Sequence, residues 1–298
     1  MAMKGHIIFI FIFLQKKGHF ILPIKAHLYI KTFNHPIEIV PQTTMYMATI
    51  SVSPYSFLLL IILLTSKVNA DGKFTYICDK NNDRGNYITG DTYHNNLKIA
   101  FIYLTFNSKI NYGFYNTNYG QNNDKVNLIG ICRGDINPED CRKCLVTSKS
   151  YLTEACPNKK EAIGWYEADQ KCMLRYSDRS ILGLREMWPA ICWSNVKNAT
   201  LADQFNSVVK QLLNDLKNKA INGDSHRKYA VKTLPGPSSD QTIYGLVQCT
   251  PDLSVSQCDD CLSESIAEVP NWCTNKIGAR IFRASCNLRF ETYQFYQT

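Results

Sequence analysis

The sequence predicts an α+β protein of two tandem disulfide-stapled domains, each with two helices packed on an antiparallel sheet of about five strands. One cysteine pattern, C-x8-C-x2-C-x11-C, occurs twice in the chain. The same order of β-prone segments and amphipathic helices accompanies each copy, as expected of an internal repeat. The length of 298 residues also suits two domains. We therefore expect one domain over residues 71–183 and a second over residues 184–298.

Six cysteines define each repeat, and all twelve lie beyond residue 77. Such a cysteine content is typical of proteins that fold in an oxidising compartment, where disulfides persist. Six cysteines can pair completely, but in several combinations among which the sequence alone does not choose. The first set is Cys78, Cys132, Cys141, Cys144, Cys156 and Cys172, and the second is Cys192, Cys249, Cys258, Cys261, Cys273 and Cys286.

Zinc binding is the competing explanation for the two C-x2-C pairs, because they have the spacing of metal ligands. The region after residue 70 holds only two histidines, His94 and His226, and a secretory signal precedes it. We therefore expect disulfides, with no metal and no other cofactor.

Residues 1–70 have the composition of a targeting region and not of a folded domain. An apolar run over residues 57–64 is followed by small and polar residues, a pattern that predicts a signal peptide cleaved near Ala70. Met45 or Met47 would provide a conventional start for this signal, so we interpret residues 1–44 as a spurious upstream extension. The alternative is a two-part membrane anchor, but neither apolar run reaches the ~18–20 residues that span a bilayer.

The charge of the chain gives no indication of nucleic acid binding. The formal net charge is +8, but residues 1–70 hold six Lys and one Glu, so the rest of the chain carries 27 basic and 24 acidic residues. No run of Lys or Arg forms a stripe that could follow a phosphate backbone. We therefore interpret these charges as an ordinary solvated surface.

The first repeat begins with a β-prone segment at residues 74–78. A helix is predicted at residues 93–106, where Leu97, Phe101 and Leu104 recur at helical spacing. Residues 111–123 are rich in Asn, Gly and Tyr and predict a loop or a hairpin.

A second helix is predicted to begin after Asn137 and to run to about residue 152. Asn can cap a helix, Pro138 suits the first turn, and the acidic residues that follow favour the positive end of the helix. Cys141 and Cys144 would then share one helix face. The remaining strands of this repeat are predicted at residues 126–132, 162–166 and 171–176.

The second repeat restates this order with a longer first helix. The triplet Asn198-Ala199-Thr200 is expected to cap it, and residues 223–225 are expected to end it. A continuous apolar stripe predicts that one helix face packs in the core. The stripe consists of Leu201, Phe205, Val208, Val209, Leu212, Leu213 and Leu216. The later elements are predicted as strands at 229–233 and 242–248 around a turn at 234–237, a helix at 256–268, and strands at 277–282 and 287–295.

The sequences around the cysteines resemble one plant family. The segments that carry the likeness are Cys172-Met-Leu-Arg-Tyr-Ser-Asp-Arg-Ser, Tyr244-Gly-Leu-Val-Gln-Cys-Thr-Pro-Asp-Leu-Ser and Cys286-Asn-Leu-Arg-Phe-Glu, together with the repeated C-x8-C-x2-C motif. Over residues 72–298 the chain resembles the plant cysteine-rich repeat secretory proteins. Their domain is similar to ginkbilobin, a mannose-binding seed antifungal protein, and is also called the stress-antifungal domain. The same paired domains form the extracellular part of cysteine-rich receptor-like kinases and plasmodesmata-located proteins; we expect this chain to be a soluble form.

The resemblance implies a disulfide pattern in which the first cysteine of each repeat pairs with the fifth, the second with the third and the fourth with the sixth. This predicts Cys78–Cys156, Cys132–Cys141, Cys144–Cys172, Cys192–Cys273, Cys249–Cys258 and Cys261–Cys286. Repeat one has fifteen residues between its last two cysteines where repeat two has twelve. We interpret the three extra residues, near 168–170, as a longer turn, with a shifted strand register as the alternative.

The resemblance also implies a sugar site. In the mannose-binding relative, the site uses an Asn directly after the first cysteine, an Arg six residues before the last cysteine and a Glu five residues after it. In repeat two these positions hold Trp193, Arg280 and Glu291, and Asn195 lies two residues beyond Trp193. An Arg–Glu pair supplies the donors and acceptors that sugar hydroxyls need. The alternative is that Arg280 and Glu291 form a cross-strand ion pair, which stabilises little when it is exposed.

Repeat one lacks the arginine of this set. Asp79 stands at the Asn position and Ser177 at the Glu position, while the Arg position falls on Ile163 or Tyr166. We therefore expect repeat one to be inactive toward mannose.

These features predict a non-enzymatic protein secreted to the apoplast, with a role in plant defence or at the cell wall. The first hypothesis is binding to a protein or receptor ectodomain, and the second is a mannose-binding antifungal lectin that acts through repeat two. A thiol-disulfide oxidoreductase is a remote third, because the implied pairing sends the two cysteines of each C-x2-C to different partners. Asn198-Ala199-Thr200 also predicts N-glycosylation at Asn198, unless that side chain caps the helix.

Overall fold

The computed structural model describes residues 74–79, 84–106, 112–166 and 171–297. The predicted signal region with its cleavage near Ala70, the extension over residues 1–44 and the extra residues near 168–170 lie outside these ranges. Within them, no helix has the length and apolar character that a membrane crossing requires.

The first repeat folds in the order β1, α1, β2, β3, α2, β4 and β5. These elements are β1 Phe74–Cys78, α1 Thr92–Phe106, β2 Phe114–Tyr119, β3 Val126–Cys132, α2 Pro138–Ala155, β4 Ala162–Tyr166 and β5 Cys172–Ser177. Of the two predictions for residues 111–123, the hairpin is confirmed, because β2 pairs with β3 along its whole length.

The second repeat follows the same order. Its elements are β6 Ala190–Ser194, α3 Ala202–Asn222, β7 Tyr229–Pro235, β8 Thr242–Cys249, α4 Val255–Trp272, β9 Ala279–Arg283 and β10 Cys286–Glu291. The last strand is shorter than predicted. It ends at Glu291, and the chain then turns back so that the Tyr296 hydroxyl donates a hydrogen bond to the Lys232 carbonyl at 3.3 Å.

Each repeat forms one five-stranded antiparallel sheet. The strand orders, β1-β4-β5-β3-β2 and β6-β9-β10-β8-β7, are the same when counted within each repeat. The register is also the same at the cysteines, since Cys132 lies opposite Cys172 and Cys249 lies opposite Cys286. The extra residues before Cys172 therefore do not shift the strand register. The predicted α+β class, with two helices on each sheet, is confirmed.

The helices cover one face of each sheet because side chains alternate along a strand. In β10, Cys286, Leu288 and Phe290 point to the helices and join the core of repeat two. The apolar stripe of α3 packs against them, with Phe205, Leu212 and Leu216 fully buried. Each fully buried side chain of this size contributes about 1.5–3 kcal/mol relative to an exposed one.

Six disulfides connect the helices to the sheets, and all twelve cysteines take part. The structure pairs them as the resemblance implies: Cys78–Cys156, Cys132–Cys141, Cys144–Cys172, Cys192–Cys273, Cys249–Cys258 and Cys261–Cys286. In each repeat, two of these bonds anchor the helix that carries the C-x2-C pair, α2 or α4, to the sheet. Each bond typically adds 2–4 kcal/mol by restricting the unfolded chain.

Two helices, α2 and α4, begin with a side-chain cap, and α3 does not. Asn137 caps α2 by accepting from the Asp140 amide at 2.9 Å, and Ser254 caps α4 in a capping box with Gln257. The predicted cap of α3 is wrong. Its N-cap is Leu201, which has no side-chain cap hydrogen bond, while Asn198 pairs with Lys276 in an isolated antiparallel bridge. Asn198 thus takes part in a backbone bridge with Lys276 and does not cap the helix.

The helix-free faces of the two sheets pack against each other. Trp165 of β4 and Phe282 of β9 place their ring centroids 5.9 Å apart, within a buried cluster that draws on both repeats. The Gln248 side chain donates to the Cys132 carbonyl across this interface at 3.1 Å. A cavity of about 20 Å³ remains between the sheets, which is room for a single water molecule. The face that carries the predicted sugar residues is therefore partly an interdomain interface.

Candidate functional site

The predicted sugar residues of repeat two lie on its helix-free sheet face. Arg280 is in β9, Glu291 ends β10, and Asn195 follows β6 directly. The Asn195 amide donates to the Gly278 carbonyl at 2.9 Å, so the chain continues to pair with the segment before β9. The Asn195 side chain then donates to one carboxylate oxygen of Glu291 at 2.8 Å. The structure thus brings two of the three residues into direct contact.

Glu291 is buried, with 2 % of its surface exposed, and both of its carboxylate oxygens are engaged. The oxygen that Asn195 leaves free accepts from Arg289 Nε at 3.0 Å, with Arg289 Nη2 at 2.9 Å. Both Arg289 nitrogens thus converge on one carboxylate oxygen, and hydrogen bonds between charged groups are roughly twice as strong as those between neutral groups. Glu291 therefore has an internal partner on its own strand, and the pair is buried instead of exposed.

Arg289 is itself fixed on every side. It is 5 % exposed, its guanidinium lies 4.1 Å from the ring centroid of Phe295, and its Nη2 donates to the Tyr293 hydroxyl at 2.9 Å. Sequence reasoning did not single out this residue. A signal existed, because arginine stands three residues after the last cysteine in both repeats, as Arg175 and Arg289.

Arg280 does not lie directly opposite Glu291 in the strand register. In the strand register it lies opposite Trp193 of β6 and opposite Arg289 of β10, and its side chain is half-buried. Glu291 lies opposite Tyr244 of β8. The cluster therefore centres on the buried Arg289–Glu291 pair, with the half-buried Asn195 and Arg280 beside it.

Repeat one contains the counterpart of this cluster, and the strand register identifies its members. Ser177 stands where repeat two has Glu291, and Ile163 stands where it has Arg280. Asp79 matches Asn195, because its amide donates to the Glu161 carbonyl at 3.1 Å as the Asn195 amide does to Gly278. Ile163 is buried in the interface between the sheets, so the Arg position of repeat one has become part of the apolar packing.

The carboxylate of repeat one comes from a neighbouring strand. Glu161 Oε1 pairs with Arg175 Nη2 at 2.8 Å, and Glu161 Oε2 accepts from the Ser177 hydroxyl at 3.1 Å. Glu161 matches Gly278 of repeat two, where a Cβ atom would overlap the Glu291 carboxylate. Both repeats thus pair a carboxylate with the arginine three residues after the last cysteine, which is Arg175 or Arg289. Repeat one supplies the carboxylate from Glu161, just before β4, and repeat two supplies it from Glu291 at the end of β10.

The repeat-one cluster also binds the segment that connects the repeats. Arg179 contacts Glu161 at 2.9 Å and Glu186 at 2.6 Å, and Arg175 also pairs with Glu186. The Glu186 amide donates to the Ser285 hydroxyl of repeat two at 2.8 Å. Burial raises the pKa of Glu161, but hydrogen bonds from Arg175 and Arg179 outweigh it and lower the pKa overall. This carboxylate therefore stays ionised and helps to fix the two repeats together.

Each cluster is an arginine–carboxylate ion pair surrounded by further hydrogen-bonding side chains. Their carboxylates are neutralised by arginine, which does not suit general acid or base catalysis near neutral pH. No thiol is available for nucleophilic chemistry, since all twelve cysteines are in disulfides. Among the described residues, no group of three or more His, Cys, Asp or Glu could hold a metal ion.

Comparisons with known proteins agree with the repeat structure. A family model described as "Salt stress response/antifungal" (Stress-antifung) matches residues 77–179 and 191–293. The chain is 36 % identical over 214 residues to cysteine-rich repeat secretory protein 38 of Arabidopsis thaliana, covering 72 % of this chain and 82 % of that protein. It is 37 % identical over 217 residues to cysteine-rich receptor-like protein kinase 29 of the same plant, covering 72 % of this chain and 32 % of the kinase. The chain thus spans about a third of the length of the receptor-like kinases it matches.

Solved structures share the fold. The tandem DUF26 ectodomain of the Arabidopsis thaliana cysteine-rich receptor-like protein PDLP8 matches with a TM-score of 0.62 at 24 % identity, covering 74 % of this chain and 98 % of that one. The corresponding ectodomain of PDLP5 matches with a TM-score of 0.58 at 22 % identity, with the same coverage. These likenesses establish the tandem arrangement of two sheet-and-helix domains.

Proposed function

Because the chain belongs to the Salt stress response/antifungal family, whose model matches both of its repeats, we propose that it is a secreted, non-enzymatic recognition protein that binds the ectodomain of another extracellular protein. The family consists of non-catalytic domains of extracellular proteins, which supports a secreted, non-enzymatic role. Six disulfides favour an oxidising compartment, in agreement with secretion to the apoplast.

The observation that carries this proposal is the burial of Glu291. Because Glu291 is only 2 % exposed, a sugar would reach this carboxylate only by moving aside Arg289 or Asn195, which cover its oxygens. Removing one partner from a buried ion pair costs about 3–5 kcal/mol, because a charge is left without compensation. A sugar hydroxyl supplies one hydrogen bond of about 0.5–1.5 kcal/mol in return. The balance favours a cluster that supports a protein-recognition scaffold.

The proposal is tested by screening the secreted mature protein against an array of plant ectodomains. The array includes the tandem stress-antifungal ectodomains of receptor-like kinases and a second copy of this chain. We expect saturable binding to at least one ectodomain, retained after addition of free mannose and lost after reduction and alkylation of the disulfides. Folded, fully disulfide-bonded protein that binds none of the array while it binds mannan would contradict the proposal.

A mannose-binding lectin is the second candidate, and one observation favours it. Asn195 takes the position that Asp79 takes in repeat one, so the local register supplies an Asn at the sugar-site position despite Trp193. Tyr293, with 51 % of its surface exposed, lies beside Arg289 and offers a ring for stacking. Retention on a mannan column that is lost in Arg280→Ala and kept in a matched Arg185→Ala control would favour this candidate.

A further inference from the structure

The Asn198-Ala199-Thr200 triplet has no structural role that would occupy the Asn198 side chain. Leu201 is the N-cap of α3, and the contact of Asn198 with Lys276 is a backbone bridge. Asn198 and Thr200 are both exposed, and in the part of the chain that the structure describes the Asn198 side chain makes no hydrogen bond. The triplet is therefore a glycosylation acceptor sequence held on the surface by its backbone.

Asn198 lies close to Asn195 along the same edge of the sheet. Asn195 pairs with Gly278 through its amide, and a Cβ atom at Gly278 would lie 2.5 Å from the Asn195 side-chain nitrogen, so both point to one side. Asn198 pairs with Lys276. Three residues on one segment thus correspond to two on the other, so one extra residue lies between Asn195 and Asn198.

The local chain path determines what lies next to the glycosylation sequence. Asn198 follows Asn195 by three residues, and its bridge partner Lys276 precedes Gly278 by two. The Asn195 side chain contacts Glu291, whose partner Arg289 donates to the Tyr293 hydroxyl. A group attached to Asn198 therefore starts three residues from the Asn195–Glu291–Arg289 cluster, which adjoins the exposed ring of Tyr293.

Repeat one has the same bridge without the acceptor sequence. Asn86 pairs with Lys159 as Asn198 pairs with Lys276, and each lysine stands three residues after the fifth cysteine of its repeat. Asn86 is exposed, but it is followed by Tyr87 and Ile88 instead of a Ser or Thr two residues on. The two repeats thus differ in whether this edge of the sheet can be modified.

We propose that Asn198 carries an N-linked glycan and that this glycan covers the repeat-two face around Asn195, Glu291 and Tyr293. The proposal rests on the secretion proposed above, because the transfer takes place in the secretory pathway. An N-glycan is bulky and hydrophilic. It restricts a protein partner to surfaces away from this face and keeps free sugars from the same cluster.

Occupancy is tested by expressing the full chain in a eukaryotic secretory system and measuring the mass of the peptide that contains Asn198. We expect a glycosylated peptide that shifts on enzymatic removal of the glycan, disappears in Thr200→Ala and persists in Thr200→Ser. Secreted protein with an unmodified Asn198 would overturn this inference and leave the proposed function intact. Failure of the chain to reach the medium would overturn the proposed secretion, and the glycan with it.

Coverage is tested by chemical nitration of tyrosines in the folded protein. Tyr293 and Tyr103 have similar exposure, 51 % and 56 %, but Tyr103 lies on α1 of the other repeat. We expect nitration of Tyr293 to be severalfold slower in the glycosylated protein than in Asn198→Gln, with Tyr103 unchanged. Equal rates at Tyr293 in the two proteins would overturn the inference that the glycan covers this face.

Discussion

Replacing Glu291 with alanine tests whether the repeat-two cluster is structural. The change leaves the buried Arg289 guanidinium without its carboxylate and the Asn195 side chain without its acceptor. Loss of one partner of a buried pair costs about 3–5 kcal/mol, whereas loss of an exposed partner costs about 0–1 kcal/mol. Because Glu291 is 2 % exposed, we expect Glu291→Ala to lower the free energy of unfolding by about 3–5 kcal/mol.

The assay is guanidinium unfolding of the disulfide-bonded protein, with the midpoint compared at unchanged slope. Glu264→Ala is the matched control, since Glu264 pairs with Arg185 on the surface with 51 % of its side chain exposed. We expect that control to cost at most about 1 kcal/mol. An equally small loss in Glu291→Ala would refute the reasoning and leave the carboxylate available to a ligand.

Repeat one suggests a substitution that compensates for the loss of the Glu291 carboxylate. Its carboxylate comes from Glu161, which corresponds to Gly278 of repeat two, and Ser177 corresponds to Glu291. The backbone at Gly278 is not in the left-handed region, so the Glu291 carboxylate is the main obstacle to a side chain there. We expect Gly278→Glu alone to destabilise the protein, and Gly278→Glu with Glu291→Ser to show a favourable coupling above about 1 kcal/mol. Additive losses would show that the two repeats do not share one arrangement.

Three further predictions concern separate parts of the chain. The pKa of Glu161 is lowered from its ordinary value near 4.5, so its contribution to stability is complete above that pH and is lost as the pH falls through the lower folded pKa. The unfolding midpoint should therefore fall less steeply with acid in Glu161→Gln than in the wild-type protein. An unchanged slope would contradict this. Leu201→Asp should supply the missing cap of α3 and raise the free energy of unfolding by about 0.5–2 kcal/mol, with no gain in Leu201→Ala. Ile88→Thr creates an acceptor sequence at Asn86, and because Ile88 is 76 % exposed the secreted protein should fold and gain a second glycan by mass; an unoccupied Asn86 would show that the two bridge positions are not equivalent.

The fold could be read from the sequence because its signals are local and occur twice. The apolar stripe of α3, from Phe205 to Leu216, has helical periodicity, and the Asn137-Pro138 pair predicts where α2 begins. The disulfide pairing needed the family resemblance, since spacing alone leaves several combinations open. The cap of α3 was mispredicted because Asn198 is drawn into pairing with Lys276, a residue 78 positions away.

The candidate site was less accessible to sequence reasoning because it depends on strand register. Arg289 and Glu291 are two residues apart, but only burial on the helix-free face makes their pairing strong. Glu161, just before β4, pairs with Arg175 of the adjacent strand β5, and no local sequence pattern indicates that it replaces the carboxylate that repeat two carries on β10. The repeated Cys-x-x-Arg spacing at Arg175 and Arg289 was the one sequence signal of this arrangement.

A glycan-array titration tests most directly whether the repeat-two cluster is structural and not a sugar site. The wild-type protein and Asn198→Gln, both secreted and fully disulfide-bonded, are compared so that the glycan cannot mask a functional site. The account predicts no saturable binding of mannose-type glycans by either protein. Saturable binding by either one, abolished in a folded Arg280→Ala or Glu291→Gln variant, would contradict it and make repeat two a lectin.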